Sequence, residues 1–181
     1  MSFQRAVGDG WTAISLPYDL DGVQGIPWEE YRKTLAMIVI VPDQGRFAEF
    51  ESSLDSARFE FIVQSFNRGP AHFFMPKFTY RFHRPLKEAL SNMGMPSVFG
   101  AADLSGMLQG GGLFVRDVIH EAFIQVDEKG TEAAAASAIG VDMAGGELLN
   151  LSIDRPFIYL IRDANTGAIL FIGRVLNPLE T

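Results

Sequence analysis

The chain of 181 residues contains no cysteine. Disulfide bonds, thiolate metal sites and a cysteine nucleophile are therefore excluded. The three histidines, His72, His83 and His120, show no metal-ligand spacing, and no cysteine is present to complete a zinc site. We therefore expect neither a metal nor another cofactor.

Positive charge and long hydrophobic runs are also scarce. Fifteen basic against 22 acidic residues give a net charge of −7, which argues against a nucleic-acid partner because such binding needs basic side chains against phosphates. The longest apolar run, residues 35–42, is far too short to span a bilayer, and no basic amphipathic helix points to a membrane surface. The first ten residues lack the apolar core of a secretory signal.

What is present is a globular composition, 48% hydrophobic and 20% charged. Residues 11–18 read as a strand, and residues 35–42 as a buried, β-branched strand. Apolar residues at helical spacing then predict two short consecutive helices, the second capped by Asp55 or Ser56. Residues 71–82 predict one aromatic strand with a bend at its proline.

The second half of the chain is also rich in strand signals. A helix is expected from Pro85 to Gly94, because proline favours the first turn and glycine the end. Residues 113–126 predict one long strand, and two apolar strands around residues 163–167 predict a hairpin inside a packed sheet layer. The fold class is α+β, dominated by strand. The long strand should contribute seven residues to the core: Phe114, Val118, Ile119, Ala122, Phe123, Ile124 and Val126.

Residues 131–138, "TEAAAASA", contain almost only small side chains. One interpretation is a short helix, because alanine has the highest helix propensity and Thr131 can act as an N-cap. No apolar stripe would hold such a helix to a core, however, and a free helix this short is marginal in water. The other interpretation is an extended loop that can enter between two existing strands, since neither of its faces has bulk.

Several stretches together resemble the serpins, the family of serine proteinase inhibitors. "VDEKGTEAAAA" (residues 126–136) resembles the hinge of the serpin reactive-centre loop, and "LSIDRPFIYLI" (151–161) resembles the segment that follows it. "MPKF" (75–78), "ADLSGM" (102–107) and "LFIGRVLNP" (170–178) are similar to further family segments in the same order. The resemblance covers residues 11–178 but only the C-terminal half of a serpin, and it is to the prokaryotic type.

The resemblance implies a serpin-like α+β fold with mixed and antiparallel sheets and a few short helices. Residues 1–181 would form the C-terminal portion of a single serpin domain, and residues 128–150 would be its reactive-centre loop. The implied function is inhibition of serine endopeptidases, not catalysis. A proteinase attacks the loop and forms an acyl-enzyme, and the loop of this suicide substrate then inserts as a strand into the metastable fold.

The resemblance also assigns roles to single residues. The attacked bond would be Ala144–Gly145, with Met143–Ala144 as the runner-up. No lysine or arginine lies between Thr131 and Ile153, so elastase- or subtilisin-like targets are favoured over trypsin-like ones. His120 would lie where the main sheet opens; the alternative is an ordinary buried histidine bonded to backbone. The loop hinge would comprise Glu128, Lys129, Gly130, Thr131, Glu132, Ala133, Ala134, Ala135 and Ala136.

The missing N-terminal half raises the question of partners. Without it the long strand would keep an open apolar edge, so we expect a complementary N-terminal serpin chain or self-association. The natural N-terminus is expected to be absent, and the resemblance favours an extracellular location. The alternative function is a non-inhibitory serpin-fold fragment that acts as a binding or structural module. An enzyme is disfavoured, because "DLSGM" lacks the first glycine of a nucleophile elbow and "QGGG" lacks the residues that complete a phosphate loop.

Overall fold

The computed structural model describes residues 2–18, 35–108, 112–127 and 148–179. The chain divides into two compact units, the first made of Met1–Lys77 and Asp127–Thr181 and the second of Phe78–Val126. The expectation that the whole chain belongs to one serpin domain stays a prediction. Among the described residues, no helix is both long and apolar enough to cross a membrane.

The first unit is built on a seven-stranded sheet. Numbered in chain order, its elements are β1 (Ser2–Gly8), β2 (Trp11–Pro17), β3 (Leu35–Pro42), α1 (Phe47–Ser52), α2 (Ser56–Gln64), β4 (Asn67–Phe74), β7 (Leu149–Ser152), β8 (Phe157–Asp163) and β9 (Ile169–Val175). The strand order in the sheet is β7-β4-β1-β2-β3-β8-β9. Neighbouring strands are antiparallel except β4 and β7, which are parallel.

Two helices cover one face of this sheet. Phe50 of α1 and Phe59 and Ile62 of α2 are buried against Trp11 and Ile40 of the strands. The structure therefore confirms the predicted strands at residues 11–18 and 35–42 and the predicted pair of helices. It also confirms the Asp55 cap, whose carboxylate accepts a hydrogen bond from the Arg58 amide at 2.8 Å.

The C-terminal hairpin forms as predicted, but only one of its strands is buried. Gly167 has a φ of +76° in the loop, the conformation that glycine tolerates best. Residues 157–160 of β8 are buried, whereas Leu170 and Ile172 of β9 are 53% and 64% exposed. The prediction that the whole hairpin lies inside a packed layer is wrong for β9, because β9 is an edge strand.

The second unit contains a two-stranded antiparallel sheet of β5 and β6. Its elements are β5 (Phe78–Pro85), α3 (Lys87–Asn92), a 3₁₀ turn (Pro96–Phe99) and β6 (Ile119–Val126). The Leu86 amide donates a hydrogen bond to the Val118 carbonyl at 2.7 Å, directly beyond the last pair of the ladder, Pro85 and Ile119.

Prolines explain two corrections to the predicted elements. The single strand predicted at residues 71–82 is two strands, β4 and β5, which the segment around Pro76 separates into different sheets. Pro85 ends β5 instead of starting a helix, and α3 begins at Lys87.

The long strand predicted at residues 113–126 is shorter than expected. Only Ile119–Val126 forms β6, and its ladder with β5 ends at Pro85. The predicted core role is also wrong: Phe114, Ile119 and Phe123 are 58%, 51% and 46% exposed, and none of the seven predicted residues is buried. A two-stranded ribbon cannot cover its own apolar face.

Candidate functional site

Most of the predicted loop lies outside the described residues. This holds for the proposed cleavage positions Met143, Ala144 and Gly145. It also holds for all nine predicted hinge residues: Glu128, Lys129, Gly130, Thr131, Glu132, Ala133, Ala134, Ala135 and Ala136. Their roles stay predictions, and the geometry that bears on them is that of the strands on either side, β6 before the loop and β7 after it.

Among the described residues, the strand before the loop, β6, has a partner strand at one edge only. It pairs along its whole length with β5, from Phe78 opposite Val126 to Pro85 opposite Ile119. No other described strand lies along its second edge. The backbone N–H and C=O groups of that edge can therefore accept a further strand.

The two faces of the β5–β6 ribbon differ in chemistry. One face carries the aromatic rings of Tyr80 and Phe82 beside Ala122 and Ile124, which are half-buried. On the other face His83 Nδ1 lies 2.7 Å from Glu121 Oε1 on the opposite strand, but this face also carries the exposed side chains of Ile119 and Phe123. Exposed apolar side chains therefore lie on both faces of the ribbon, and apolar surface of this kind marks a site of interaction.

His120 lies on the aromatic face of this ribbon, where its ring meets that of Phe82 edge-on with centroids 5.9 Å apart. Its side chain is exposed, so the interpretation of His120 as an ordinary buried histidine is wrong for this chain. The expected role at a sheet opening stays a prediction. The residue does lie at the start of β6, opposite Arg84.

The strand after the loop, β7, is anchored in the first unit instead. It runs parallel to β4, with Leu151 only 4% exposed, and the Ile153 amide donates a hydrogen bond to the Phe74 carbonyl at 2.8 Å. Arg155 then donates from Nε to the Pro42 carbonyl at 2.9 Å, which ties this segment to the end of β3.

The two ends of the loop therefore have different supports. The preceding strand belongs to an exposed two-stranded ribbon, while the following strand and the residues after it pack against the buried core of the seven-stranded sheet. An isolated ribbon is marginally stable, whereas buried strands resist opening. Rearrangement is therefore easier on the β6 side than on the β7 side.

Two features of the site were not predicted from the sequence. The strand β7 has only four residues, and β1 shows no regular alternation of apolar and polar residues, so neither was identified although both flank β4. Arg155, in the family-like "DRPF" stretch, was not assigned its anchoring contact, because a bond to residue 42 depends on the tertiary fold.

Comparison with known proteins agrees with this geometry. The family model described as "Serpin (serine protease inhibitor)" matches residues 2–178. A protein of Thermococcus kodakarensis named as uncharacterized and serpin-like is 37% identical over 166 residues, 90% of this chain and 38% of that protein. The leukocyte elastase inhibitor of Xenopus laevis is 37% identical over 160 residues, 84% of this chain and 42% of that protein.

A comparison of the fold with solved structures also gives a match over nearly the whole chain. The solved structure of thyroxine-binding globulin in complex with thyroxine matches with a TM-score of 0.76 at 27% identity, over 99% of this chain and 45% of that chain. The chain thus spans about two fifths of the length of the curated relatives named above.

Proposed function

The chain belongs to the serpin family, and we propose that it serves to inhibit serine endopeptidases, with residues 128–150 as the reactive-centre loop. The observation that carries the proposal is the second edge of β6, which no described strand covers. This strand ends at Val126, just before the hinge. A loop with a free end can add to such an edge by backbone hydrogen bonds, and serpin loop insertion is itself a known case of strand addition.

The proposed reaction begins at the Ala144–Gly145 bond. The proteinase serine Oγ attacks the Ala144 carbonyl carbon, and the Gly145 nitrogen leaves with a proton from the proteinase histidine. The product is an ester between the serine and Ala144. If residues 131–138 then pair with the β6 edge before water cleaves the ester, the enzyme stays attached. Small side chains favour this outcome because they enter a sheet without clashing with the layer below it.

The anchoring of β7 supports the proposal that the part of the loop before the cut moves while the part after it stays in place. The cut separates the half of the loop attached to β6 from the half attached to β7. Because β7 is held by β4 and the segment after it by the Arg155 contact with Pro42, the second half keeps its place. The half attached to β6 is then the one that moves.

The target is proposed to be elastase-like or subtilisin-like. An alanine or methionine before the attacked bond suits a small or medium specificity pocket, whereas trypsin-like enzymes need lysine or arginine. A relative named leukocyte elastase inhibitor is compatible with this class.

A complementary partner is proposed for the exposed strands. Leu170 and Ile172 of β9 and Phe82 and Phe123 of the β5–β6 ribbon are each at least 46% exposed. Apolar surface of this kind is usually covered. The relatives carry more than half of their length outside the match, so the N-terminal portion of a serpin is the occupant we propose, with self-association as the alternative.

A second candidate function is a non-inhibitory binding or structural module. It is favoured by the likeness to thyroxine-binding globulin, a serpin-fold structure titled for its bound ligand. The hinge sequence distinguishes the two candidates: "TEAAAASA" has only one charged and no bulky residue, as an inserting loop requires.

The test is denaturing gel electrophoresis after mixing with elastase, subtilisin and trypsin. Inhibition predicts a band at the sum of the two masses with elastase or subtilisin, because the ester survives detergent. The mixture should be tested with this chain alone and with the chain joined to the N-terminal portion of a serpin. If only cleaved chain and free, active proteinase appear with every enzyme in both forms, the inhibitory function is wrong and the binding module is favoured.

A further inference from the structure

Six exposed residues form one continuous surface on β1, β4 and β7, which we call the outer β4 face. In the sheet register, Gln4 lies opposite Arg68, His72 opposite Asn150, and Phe74 opposite Ser152. Paired residues share a face, and alternate residues of one strand do too. The outer β4 face therefore comprises Gln4, Arg68, His72, Phe74, Asn150 and Ser152.

The opposite face of the same strands is apolar and packed. Ala71 and Leu151 are 3% and 4% exposed, and the rings of Phe3 and Phe73 meet edge-on at 5.3 Å. The strands are thus amphipathic, and an outward-facing position should be polar. Phe74 breaks this pattern: it lies on the solvent side and is 76% exposed.

The charge of the outer β4 face also differs from that of the chain. The chain has a net charge of −7, but this face carries Arg68 and no carboxylate. Arg68 is exposed, and its guanidinium forms no ion pair or hydrogen bond with the described residues. A free arginine and an exposed aromatic ring are the two side-chain types most enriched where protein partners bind.

The outer β4 face includes residues of β7, the strand that follows the proposed loop. Leu149, the first residue of β7, follows the proposed cleavage residue Gly145 by four positions, a span of at most about 14 Å. Leu149 lies opposite Ala71 in the parallel register, so Arg68 lies toward the loop end of β4 and Phe74 about 20 Å further along it. A proteinase that holds residues 144 and 145 is therefore within reach of the loop end of this face.

We propose that the outer β4 face is a second contact surface for the target proteinase. It fits a serine proteinase that carries carboxylates beside the part of its cleft that binds residues after the cut bond. Arg68 would pair with those carboxylates and Phe74 would pack on the enzyme surface. This inference rests on the proposed function, because it needs a proteinase that grips the loop.

The test measures binding of the 181-residue chain to two subtilisin-class proteinases, one with an acidic and one with a basic surface. Each has its catalytic serine replaced by alanine, so that only non-covalent binding is seen. We expect Arg68→Glu to weaken binding to the acidic enzyme about fivefold, mainly through slower association, and to remove most of its salt dependence. Phe74→Ala should weaken it about tenfold through faster dissociation.

Matched controls separate this surface from general effects. Arg116→Glu changes an exposed arginine outside the three strands, and Phe61→Ala removes a ring that is 62% exposed on α2. Both should leave the dissociation constant within about twofold of that of the unmodified chain. A synthetic peptide of residues 138–148 supplies the loop without the face, and it should bind more weakly than the chain.

The outcomes distinguish this inference from the proposed function. One outcome is that the peptide and the chain bind the acidic enzyme equally, and that Arg68→Glu and Phe74→Ala leave the dissociation constant unchanged. The proposed second contact surface is then wrong, while the loop remains the segment that the proteinase recognises. If neither the peptide nor the chain binds either enzyme, subtilisin-class proteinases do not recognise the loop, and both proposals fail. Equal losses with the basic and acidic enzymes would overturn the charge assignment.

Discussion

Arg162 offers the sharpest structural prediction, because one side chain joins three parts of the first unit. Its Nη2 lies 3.1 Å from Glu60 Oε1 on α2, and its Nε donates to the Gly167 carbonyl at 3.3 Å in the hairpin loop. The guanidinium carbon lies 5.7 Å from the centre of the Phe59 ring. Only 13% of the Arg162 side chain is exposed.

The expected cost of Arg162→Met follows from these contacts. The hydrogen bond contributes about 1 kcal/mol. The cation–π contact and the ion pair, whose Glu60 side chain is 49% exposed, contribute about 0.5 kcal/mol each. Methionine keeps most of the apolar packing of the arginine stem. Arg162→Met should therefore lower the free energy of unfolding by about 2 kcal/mol.

Urea unfolding followed by tryptophan fluorescence measures this change directly. Trp11 is 4% exposed in the same core cluster as Phe59, and a Trp28→Phe background makes it the only reporter. Arg174→Met is the matched control: Arg174 pairs with Glu51, but 53% of its side chain is exposed, so it should cost less than about 0.5 kcal/mol. Equal losses in the two variants would refute the argument.

Three further predictions follow from single contacts. Asp55→Ala removes the α2 cap and should lower the unfolding free energy by about 1 kcal/mol in the same urea assay. The Asn165 amide and Thr166 hydroxyl lower the pKa of Asp163, so its stabilisation is lost as pH falls below the ordinary value of 3.8; Asp163→Asn should show a smaller acid-induced drop in melting temperature. Thr131→Arg should slow insertion and raise the stoichiometry of inhibition; an unchanged value would contradict loop insertion.

Predictions of secondary structure from the sequence were most accurate where burial and local chemistry favour the same element. The continuous β-branched run at residues 35–42 can satisfy its apolar side chains only inside a sheet, and it forms β3. The Asp55 cap and the Gly167 loop depend on neighbours within a few residues, so both could be predicted. Family membership also followed from short stretches in a fixed order.

Predictions failed where the result depends on distant partners. Residues 113–126 have the apolar pattern of a buried strand, yet only Ile119–Val126 pairs, and no described strand covers its second edge. The same holds for β9, which has a described neighbour strand, β8, on one side only. The outer β4 face was not predicted because it joins residues of three strands; β7 has only four residues, and β1 shows no regular alternation.

Amide hydrogen exchange of β6 tests the central claim, that the loop adds as a strand to the open edge of this ribbon. Exchange in residues 119–126 should be measured in the serpin carrying this chain, before and after a proteinase cuts at Ala144–Gly145. Insertion predicts slower exchange of the β6 amides after the cut, because those at the second edge gain acceptors, together with a higher melting temperature. Unchanged exchange in β6 and an unchanged melting temperature after complete cleavage would contradict the claim.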